Sequence, residues 1–275
     1  MTRRRDLEHH RDSLSEIGEI LASMRTLAYM ETRKLSRFLA AQQQVAESIS
    51  EVAADFLAFF PGQPEALEEA TRVYLVIGSE RGFCGDFNRV VAKQLAEVTQ
   101  KHPADTARII AVGNKLHSLF KDEQSVVALL DGASVAEEVT SVLESLTRTL
   151  DSVRLSESGV VLYGIYHDRD EPVLMPLLPP FVQESDVEPK HAFPPILNVP
   201  ADDFLRDLED YYLFAALNHM LYASLMSENQ RRVHHLEGAV RHLEQKTGEL
   251  TRKCRALRQE EIIEEIEVIL LSAGT

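Results

Sequence analysis

Hydrophobic residues recur with a seven-residue period at both ends of this chain, and the middle of the chain lacks that period. The steps alternate between three and four residues, and thirteen of the sixteen N-terminal positions are apolar. Such a repeat keeps one seam of a helix against a partner helix and imposes a left-handed supercoil. The N-terminal seam is Leu7, His10, Leu14, Ile17, Leu21, Met24, Ala28, Glu31, Leu35, Phe38, Gln42, Val45, Ile49, Val52, Phe56 and Phe59. The C-terminal seam is Val233, Leu236, Val240, Leu243, Thr247, Leu250, Cys254 and Leu257.

Each seam lies in a stretch that is long enough for one continuous helix. The first helix is predicted over residues 6–60, where Gly18 is the only helix breaker and Pro61-Gly62 marks the end. The second helix is predicted to begin at Asp202, as its N-cap, and to run to about Leu271. Because one chain carries both helices, we expect it to fold back and wind them antiparallel around each other as a rod.

The second helix is longer than the first, and this predicts an overhang. An antiparallel register that sets Phe59 near Phe204 also sets Leu7 near Leu257. The remaining segment, Glu260–Leu271, is apolar almost all round, and a single helix of that kind needs burial elsewhere. We therefore expect this segment to enter an apolar sleeve on another protein, with a disordered tail as the alternative.

The middle of the chain alternates short apolar runs with amphipathic helices. Such alternation predicts a mostly parallel sheet with helices on its faces. The strands are predicted at 73–77, 108–112, 126–130, 160–166 and 173–178, and the helices at 87–99, 115–121 and 134–150. The predicted fold class is α/β: a long antiparallel two-helix coiled coil from the N- and C-terminal segments plus a central Rossmann-like α/β domain. The predicted domains are residues 1–62, residues 71–200 with a Pro-rich connector, and residues 202–275 with the apolar tip.

Composition and charge narrow the class of partner. The net charge of −15 argues against binding to nucleic acid or to an anionic membrane surface. Cys84 and Cys254 are too few for a disulfide framework, which favours reduced thiols in the cytoplasm. The start of the chain is basic but no apolar run follows it, so we expect no signal peptide and no membrane span.

Candidate chemistry in this sequence is sparse. The loop Arg81–Gly85 follows the first strand, where dinucleotide-binding folds place a phosphate loop, but neither G-x-G-x-x-G nor G-x-x-x-x-G-K-[ST] occurs. Gly82 and Gly85 are more simply turn glycines. The histidines belong mostly to the long helices, and no carboxylates pair across a cleft. We therefore expect no catalytic, cofactor or metal site in this chain.

Three blocks of the sequence resemble the gamma subunit of F-type ATP synthases. Met24–Lys34 (MRTLAYMETRK) is similar to the family stretch M-E-M-V-A-A-S-K-M-R-K. Leu75–Asn88 (LVIGSERGFCGDFN) is similar to L-V-V-S-T-D-R-G-L-C-G-G-L-N and is the most specific block. Ser227–Arg232 (SENQRR) resembles S-E-x-x-A-R. The resemblance covers essentially the whole chain.

Two family motifs are altered here. The C-terminal signature R-Q-A-x-I-T-Q-E corresponds to Lys253–Glu260, where Gln259 and Glu260 are kept and Arg258 replaces the usual Thr. The Y-E-P segment corresponds to Asn198-Val199-Pro200, which lacks the acid. The sequence therefore resembles a divergent bacterial branch of the family, such as the alternative complex that is sometimes coupled to sodium.

The resemblance implies a non-catalytic central-stalk rotor, peripheral to the cytoplasmic side of a bacterial inner membrane, that couples ion-driven rotation to the catalytic beta subunits. Its partners would be the alpha and beta subunits, the epsilon subunit and the c-ring. The residues implied for the alpha/beta hexamer are Met24, Arg33, Lys34, Lys253, Arg258, Gln259, Glu260, Ile262, Ile263 and Ile266. Those implied for epsilon and the ring are Arg81, Gly82, Phe83, Cys84, Gly85, Asn198 and Pro200.

Two other classes of protein fit the same patterns. One is a nucleotide-binding regulatory or enzymatic α/β module that is dimerised by the coiled coil. The other is a scaffold whose helices pair between chains instead of within one chain. Nucleotide binding or a stable intermolecular dimer would favour these alternatives over the rotor.

Overall fold

The computed structural model describes residues 2–60, 70–101, 107–121, 123–156, 159–181 and 193–273. It divides into two compact units, and each is described by itself. The first unit consists of residues 1–29 and 232–275, and the second of residues 30–231. The two longest helices, α1 (Thr2–Leu57) and α5 (Ala201–Ala273), contribute residues to both units.

The second unit is built around a five-stranded sheet in the order β3-β2-β1-β4-β5. Strands β1 to β4 run parallel, and β5 pairs antiparallel with β4. This confirms the mostly parallel sheet that the alternation of strands and helices predicted. The strands are β1 (Thr71–Ile77), β2 (Ala107–Val112), β3 (Val126–Leu130), β4 (Val160–Asp168) and β5 (Glu171–Leu178).

Helices cover both faces of this sheet. The central strand β1 is apolar at successive positions, as expected for a strand that is buried on both faces. Its Tyr74 and Val76 face α2 and α3, whereas Leu75 and Ile77 face α4 and the second-unit parts of α1 and α5. The three shorter helices are α2 (Phe87–Gln100), α3 (Asn114–Phe120) and α4 (Val139–Ser156), and one turn of 3-10 helix (Ala136–Glu138) precedes α4.

The predicted element boundaries need small corrections. The helix expected from residue 134 begins as the 3-10 turn, and only then continues as α4. Helix α5 begins at Ala201, so Asp202 lies in its first turn and is not the N-cap. The carbonyl of Pro200 instead accepts the first helical hydrogen bond, from the amide of Phe204 at 3.0 Å. The predicted terminator of α1, Pro61-Gly62, lies outside the described residues.

Helix α5 lies close to the sheet at Gly164 of β4. A Cβ added to this glycine would lie 2.1 Å from Cε and 2.7 Å from Sδ of Met220. Met220 is fully buried, and its neighbours Leu217 and Leu177 are almost or fully buried in the same core. The absent side chain of Gly164 thus provides the space for the thioether of Met220, which sets how near α5 lies to β4.

We expect Gly164→Ala to destabilise the protein by about 1–3 kcal/mol, because the added methyl overpacks a core that is already full. Chemical denaturation followed by circular dichroism measures this change. The matched control is Gly238→Ala on the exposed face of α5, where a Cβ meets nothing within 4 Å. That control should stabilise the helix by roughly 0.5–1 kcal/mol. An equal response of the two variants would contradict the proposed close packing at Gly164.

Within the second unit, α1 and α5 pair antiparallel through aromatic contacts. Phe56 lies 4.9 Å from Phe204 between ring centroids, and Phe38 stacks on Tyr222 at 5.2 Å. As the residue number rises on α1 it falls on α5, as expected for a chain that folds back on itself. Leu35 and Ala53 of α1 are completely buried.

The first unit shows the same antiparallel pairing. The Arg4 guanidinium donates a hydrogen bond to the Glu261 carboxylate at 2.8 Å. Gly18 faces Leu243, whose Cδ1 lies 4.0 Å from the position of an added Cβ. These contacts confirm the predicted register, in which Leu7 is near Leu257, and they are made within one chain.

The two predicted seams differ in accuracy. No position of the C-terminal seam is exposed, so that prediction is confirmed. On α1, five of the sixteen predicted positions are exposed: His10, and also Ile17, Phe38, Val45 and Val52, which are each 40–47 % exposed. The residues that turn inward are the next ones along the helix, which are Gly18, Thr32, Leu39, Ala46 and Ala53. Apolar content alone misplaced part of the seam, because Ile17, Val45 and Val52 are large apolar side chains that remain exposed on α1.

We expect Leu243→Asp to destabilise the first unit by about 2–4 kcal/mol, because it places an unpaired charge in the seam. Loss of helical ellipticity on heating measures the effect. The matched control is His242→Asp, which puts the same charge on the adjacent exposed position. If both variants melt at the same temperature, position 243 does not belong to the seam.

Candidate functional site

The loop that follows β1, residues 78–86, lies at the carboxyl edge of the sheet and is held from within. The Asn88 side chain accepts a hydrogen bond from the Ser79 amide at 2.8 Å and donates one to the Ser79 hydroxyl at 2.8 Å. The Cys84 thiol is buried beneath the loop and donates to the Ser79 hydroxyl at 3.3 Å. Gly85 has a φ of 66°, which confirms it as a turn glycine, but in the neighbouring turn Phe83, with a φ of 62°, and not Gly82 is left-handed.

Two carboxylates occupy backbone donors at this edge of the sheet. The buried Glu228 side chain on α5 accepts hydrogen bonds from the Glu80 and Arg81 amides, at 3.3 and 3.4 Å. The Glu80 carboxylate in turn accepts from the amides of Asn114 at 3.0 Å and Gly132 at 2.7 Å, in the loops after β2 and β3. In a phosphate loop such amides point at the ligand. Here they point at a carboxylate, which would repel a phosphate, so this edge of the sheet is unsuited to a nucleotide.

A buried histidine that is not among the predicted site residues lies beside this loop. His167, at the end of β4, is completely buried, and its Nε2 lies 3.0 Å from the carbonyl oxygen of Phe87. Its Nδ1 has no hydrogen-bond partner within the described structure. Burial lowers the pKa of the His167 imidazole, and the nearby Arg231 guanidinium adds to this. A polar residue at the end of a buried strand was the signal that could have identified it.

No group of three or more metal-binding side chains comes together anywhere in the part of the chain that the structure describes. Cys84 and Cys254 are both buried, and they are not joined to each other by a disulfide.

The residues predicted to contact the alpha/beta hexamer fall in three places. Met24 is half-buried on α1 of the first unit, next to a stripe formed by the exposed Ile17, Ile20 and Leu27. Arg33 is exposed, whereas the Lys34 ammonium is ion-paired with Glu137, which lowers the pKa of the Glu137 carboxyl by a hydrogen bond. The third group lies near the end of α5, where Lys253, Arg258, Gln259, Glu260, Ile262, Ile263 and Ile266 are all exposed.

The end of α5 exposes a run of large apolar side chains. Ile262, at 46 %, is the least exposed of them, and Leu271, at 76 %, is the most exposed. The other members are Ile263, Ile266, Val268, Ile269 and Leu270. Such a contiguous apolar surface is characteristic of a site that binds another protein.

The residues predicted to contact epsilon and the ring do not form one surface. Arg81 and Gly85 are exposed at the loop, where the Arg81 side chain donates to the Ser134 hydroxyl at 2.9 Å. Gly82 is half-buried, Phe83 is 49 % exposed and Cys84 is buried. Asn198 and Pro200 are exposed in the connector just before α5. Glu228, which holds the loop, lies 27 residues along α5 from Ala201, roughly 40 Å at 1.5 Å per residue.

The long terminal helices pair antiparallel within each unit, the inserted sheet is mostly parallel with its loop amides occupied, and the exposed apolar end of α5 indicates a subunit that binds other proteins. A model of the ATP synthase family matches residues 3–274, so the chain belongs to that family.

Curated relatives agree with this assignment. The ATP synthase gamma chain of Clostridium beijerinckii is 25 % identical over 272 residues, covering 95 % of this chain and 94 % of that protein. The ATP synthase gamma chain of Clostridium novyi is 25 % identical over 207 residues, covering 72 % and 70 %. These matches confirm the predicted gamma-subunit family, and with it a non-catalytic subunit.

Solved structures share the fold. A chain of the rotor of the Euglena gracilis mitochondrial ATP synthase superposes with a TM-score of 0.66 at 14 % identity, covering 95 % of this chain and 99 % of that one. A chain of the Tetrahymena thermophila mitochondrial ATP synthase central stalk and c-ring gives 0.57 at 13 % identity, covering 80 % and 99 %. Among the described residues, no helix combines the length and the hydropathy that crossing a membrane requires.

The buried His167 and the half-buried His219 predict a pH dependence of stability. Burial lowers the pKa of both His167 and His219 from the ordinary 6.5, so below pH 6.5 the unfolded chain binds more protons than the folded chain. The free energy of unfolding is therefore complete above pH 6.5 and decreases as the pH falls towards the folded-state pKa, by up to about 1.4 kcal/mol per pH unit for each histidine.

Denaturation at pH 7 and pH 5 tests this, with His167→Gln expected to flatten the dependence. The matched control, the exposed His234→Gln, should retain the full slope. An unchanged slope in His167→Gln would show that this imidazole does not carry the effect.

Proposed function

We propose that this chain is the central-stalk rotor of a bacterial F-type ATP synthase and turns inside a hexamer of three alpha and three beta subunits. The chain performs no chemistry. Its asymmetric surface contacts each beta subunit differently, so that rotation favours a different conformation of each catalytic site in turn. The observation that carries this proposal, together with the family, is the exposed apolar end of α5.

The apolar end of α5 fits a sleeve formed by the hexamer. Ile262, Ile263 and Ile266 are about half exposed on a helix that continues to Ala273. Removing such side chains from water stabilises an interface by roughly 25 cal/mol for each Å² buried. Because side-chain packing of this kind is not directional, the helix end can turn within the sleeve.

Charged and apolar residues of both helices, outside the apolar segment that begins at Ile262, complete the proposed hexamer surface. On α1 they are Met24, Arg33 and Lys34, beside the exposed stripe of Ile17, Ile20 and Leu27. On α5 they are Lys253, Arg258, Gln259 and Glu260. Part of the neighbouring positive charge is neutralised within the chain, since Arg4 pairs with Glu8 and Glu261, and Arg11 pairs with Asp12.

The α/β domain contributes two separate surfaces for epsilon and the c-ring. The connector surface has Asn198 and Pro200 beside the strongly exposed Phe193 and Ile196. The loop surface has Arg81, Gly82, Phe83 and Gly85. The buried Cys84 thiol donates a hydrogen bond to the Ser79 hydroxyl and so helps to hold the loop in shape. Since roughly 40 Å of helix separates the two surfaces, we assign them to different partners: the apolar connector to the ring and the loop to epsilon or to the lower rim of the hexamer.

This assembly would place the chain at the cytoplasmic side of a bacterial inner membrane, attached through the complex. The Clostridium relatives support a bacterial complex, and the altered motifs at Arg258 and Asn198 support a divergent branch. The alternative of a nucleotide-binding module is disfavoured, because the Glu228 carboxylate occupies the loop amides that a phosphate would need.

The decisive experiment is co-expression of this chain with its own alpha, beta and epsilon subunits, followed by measurement of assembly and ATP hydrolysis. The triple variant Ile262→Gln/Ile263→Gln/Ile266→Gln should weaken binding to the hexamer roughly 100-fold, since each isoleucine contributes ~1 kcal/mol or more. The matched control is Glu264→Gln/Glu265→Gln/Glu267→Gln, which keeps the apolar surface and should assemble normally. Equal assembly of the two variants, or no assembly of the unmodified chain, contradicts the proposed function.

A further inference from the structure

In the second unit, both long helices place a carboxylate on backbone amides at the same edge of the sheet. Glu228 of α5 accepts hydrogen bonds from the amides of Glu80 and Arg81, after β1. Glu31 of α1 accepts one from the amide of Ala136, in the segment between β3 and α4, at 2.6 Å. No predicted interface includes either glutamate, and neither takes part in chemistry.

The contacts continue from these two glutamates across the carboxyl edge of the sheet. The Glu80 carboxylate joins the loop after β1 to the amides of Asn114 and Gly132, after β2 and β3. Arg231, one turn beyond Glu228, donates to Asp86 at 2.9 Å and to Asp170 at 3.4 Å, which adds the turn between β4 and β5. The loops around all five strands are therefore tied to α5, to α1 or to each other.

These hydrogen bonds supply something that the apolar packing between the helices and the sheet does not. Apolar packing, such as Met220 of α5 against Gly164 of β4, resists sliding of a helix against the sheet but fixes no hydrogen-bond geometry at the loops. Hydrogen bonds weaken steeply as their angle departs from linearity. Two directional anchors on different helices therefore resist relative twisting of the helices and the sheet.

We propose that Glu228 and Glu31 form a torque clamp, which transmits the twist of the long helices to the α/β domain. This inference rests on the proposed rotor function. It names the two residues that transmit mechanical load between the long helices and the α/β domain. Both are positioning residues: they act by holding the loops of the domain in register with the helices. Without them the chain remains assembled, but its domain lags elastically behind the turning helices.

The test uses the complete complex in vesicles, with ATP hydrolysis and ATP-driven ion pumping measured on the same sample. In Glu228→Ala and in Glu31→Ala we expect hydrolysis by the detached catalytic complex to stay within about twofold of the unmodified complex, because that reaction carries no load. The number of ions pumped per ATP against an opposing gradient should fall at least about twofold. A loss of 1.4 kcal/mol in a load-bearing step changes the equilibrium constant of that step tenfold.

A second readout measures stiffness directly. A bead is attached to the α/β domain of a complex stalled by nucleotide, and its angular variance is recorded. We expect the variance to rise about twofold in Glu228→Ala and less in Glu228→Gln, because the amide keeps one acceptor oxygen of the two. A merely structural role of Glu228 would change the melting temperature and leave this graded variance untouched.

The matched control is Glu97→Gln, an exposed carboxylate on α2 that pairs with Lys93 at 3.6 Å within its own helix. It should change neither pumping nor variance. If both clamp variants pump and fluctuate as the control does, the clamp is overturned while the rotor function stands. If the unmodified chain supports no coupled pumping with its own partner subunits, the rotor function itself is overturned.

Discussion

The structure depends on the pairing of two helices that lie at opposite ends of the sequence. Helix α1 is complete at Leu57, and α5 begins only at Ala201, yet the two pack antiparallel in each compact unit. A seven-residue apolar period on both helices makes this pairing specific, since each turn presents its seam to the other helix. The intervening segment folds as an α/β layer that shares one hydrophobic core with the nearby parts of both helices.

At the carboxyl edge of that sheet, carboxylates of the protein itself occupy amides of the loops. In open α/β folds, ligands bind outside the carboxyl ends of the strands, where loop amides are available. Here Glu228 and Glu80 satisfy those amides from within the protein. The same hydrogen bonds that exclude a phosphate connect the loops to the long helices. An α/β fold that is associated with nucleotide binding is thus used as a mechanical connection.

The exposed apolar residues of the long helices have a common explanation. On α1 one apolar face meets α5 and a second, which includes Ile17, Ile20 and Leu27, is left open. On α5 the apolar segment from Ile262 extends past the register that pairs Arg4 with Glu261. Such surfaces carry a cost in water. Their presence is consistent with a chain that is stable in an assembly.

The sequence by itself determined the elements, the parallel sheet, the antiparallel register and the family, because these follow from apolar periods and from short motifs such as Leu75–Asn88. Only the tertiary structure decided which face of α1 is the seam, since apolar periodicity cannot distinguish a face buried within the chain from one left for a partner. It also decided the environment of His167 and the roles of Glu31 and Glu228. Those contacts join residues that are 80 to 148 positions apart, and no local pattern encodes such a distance.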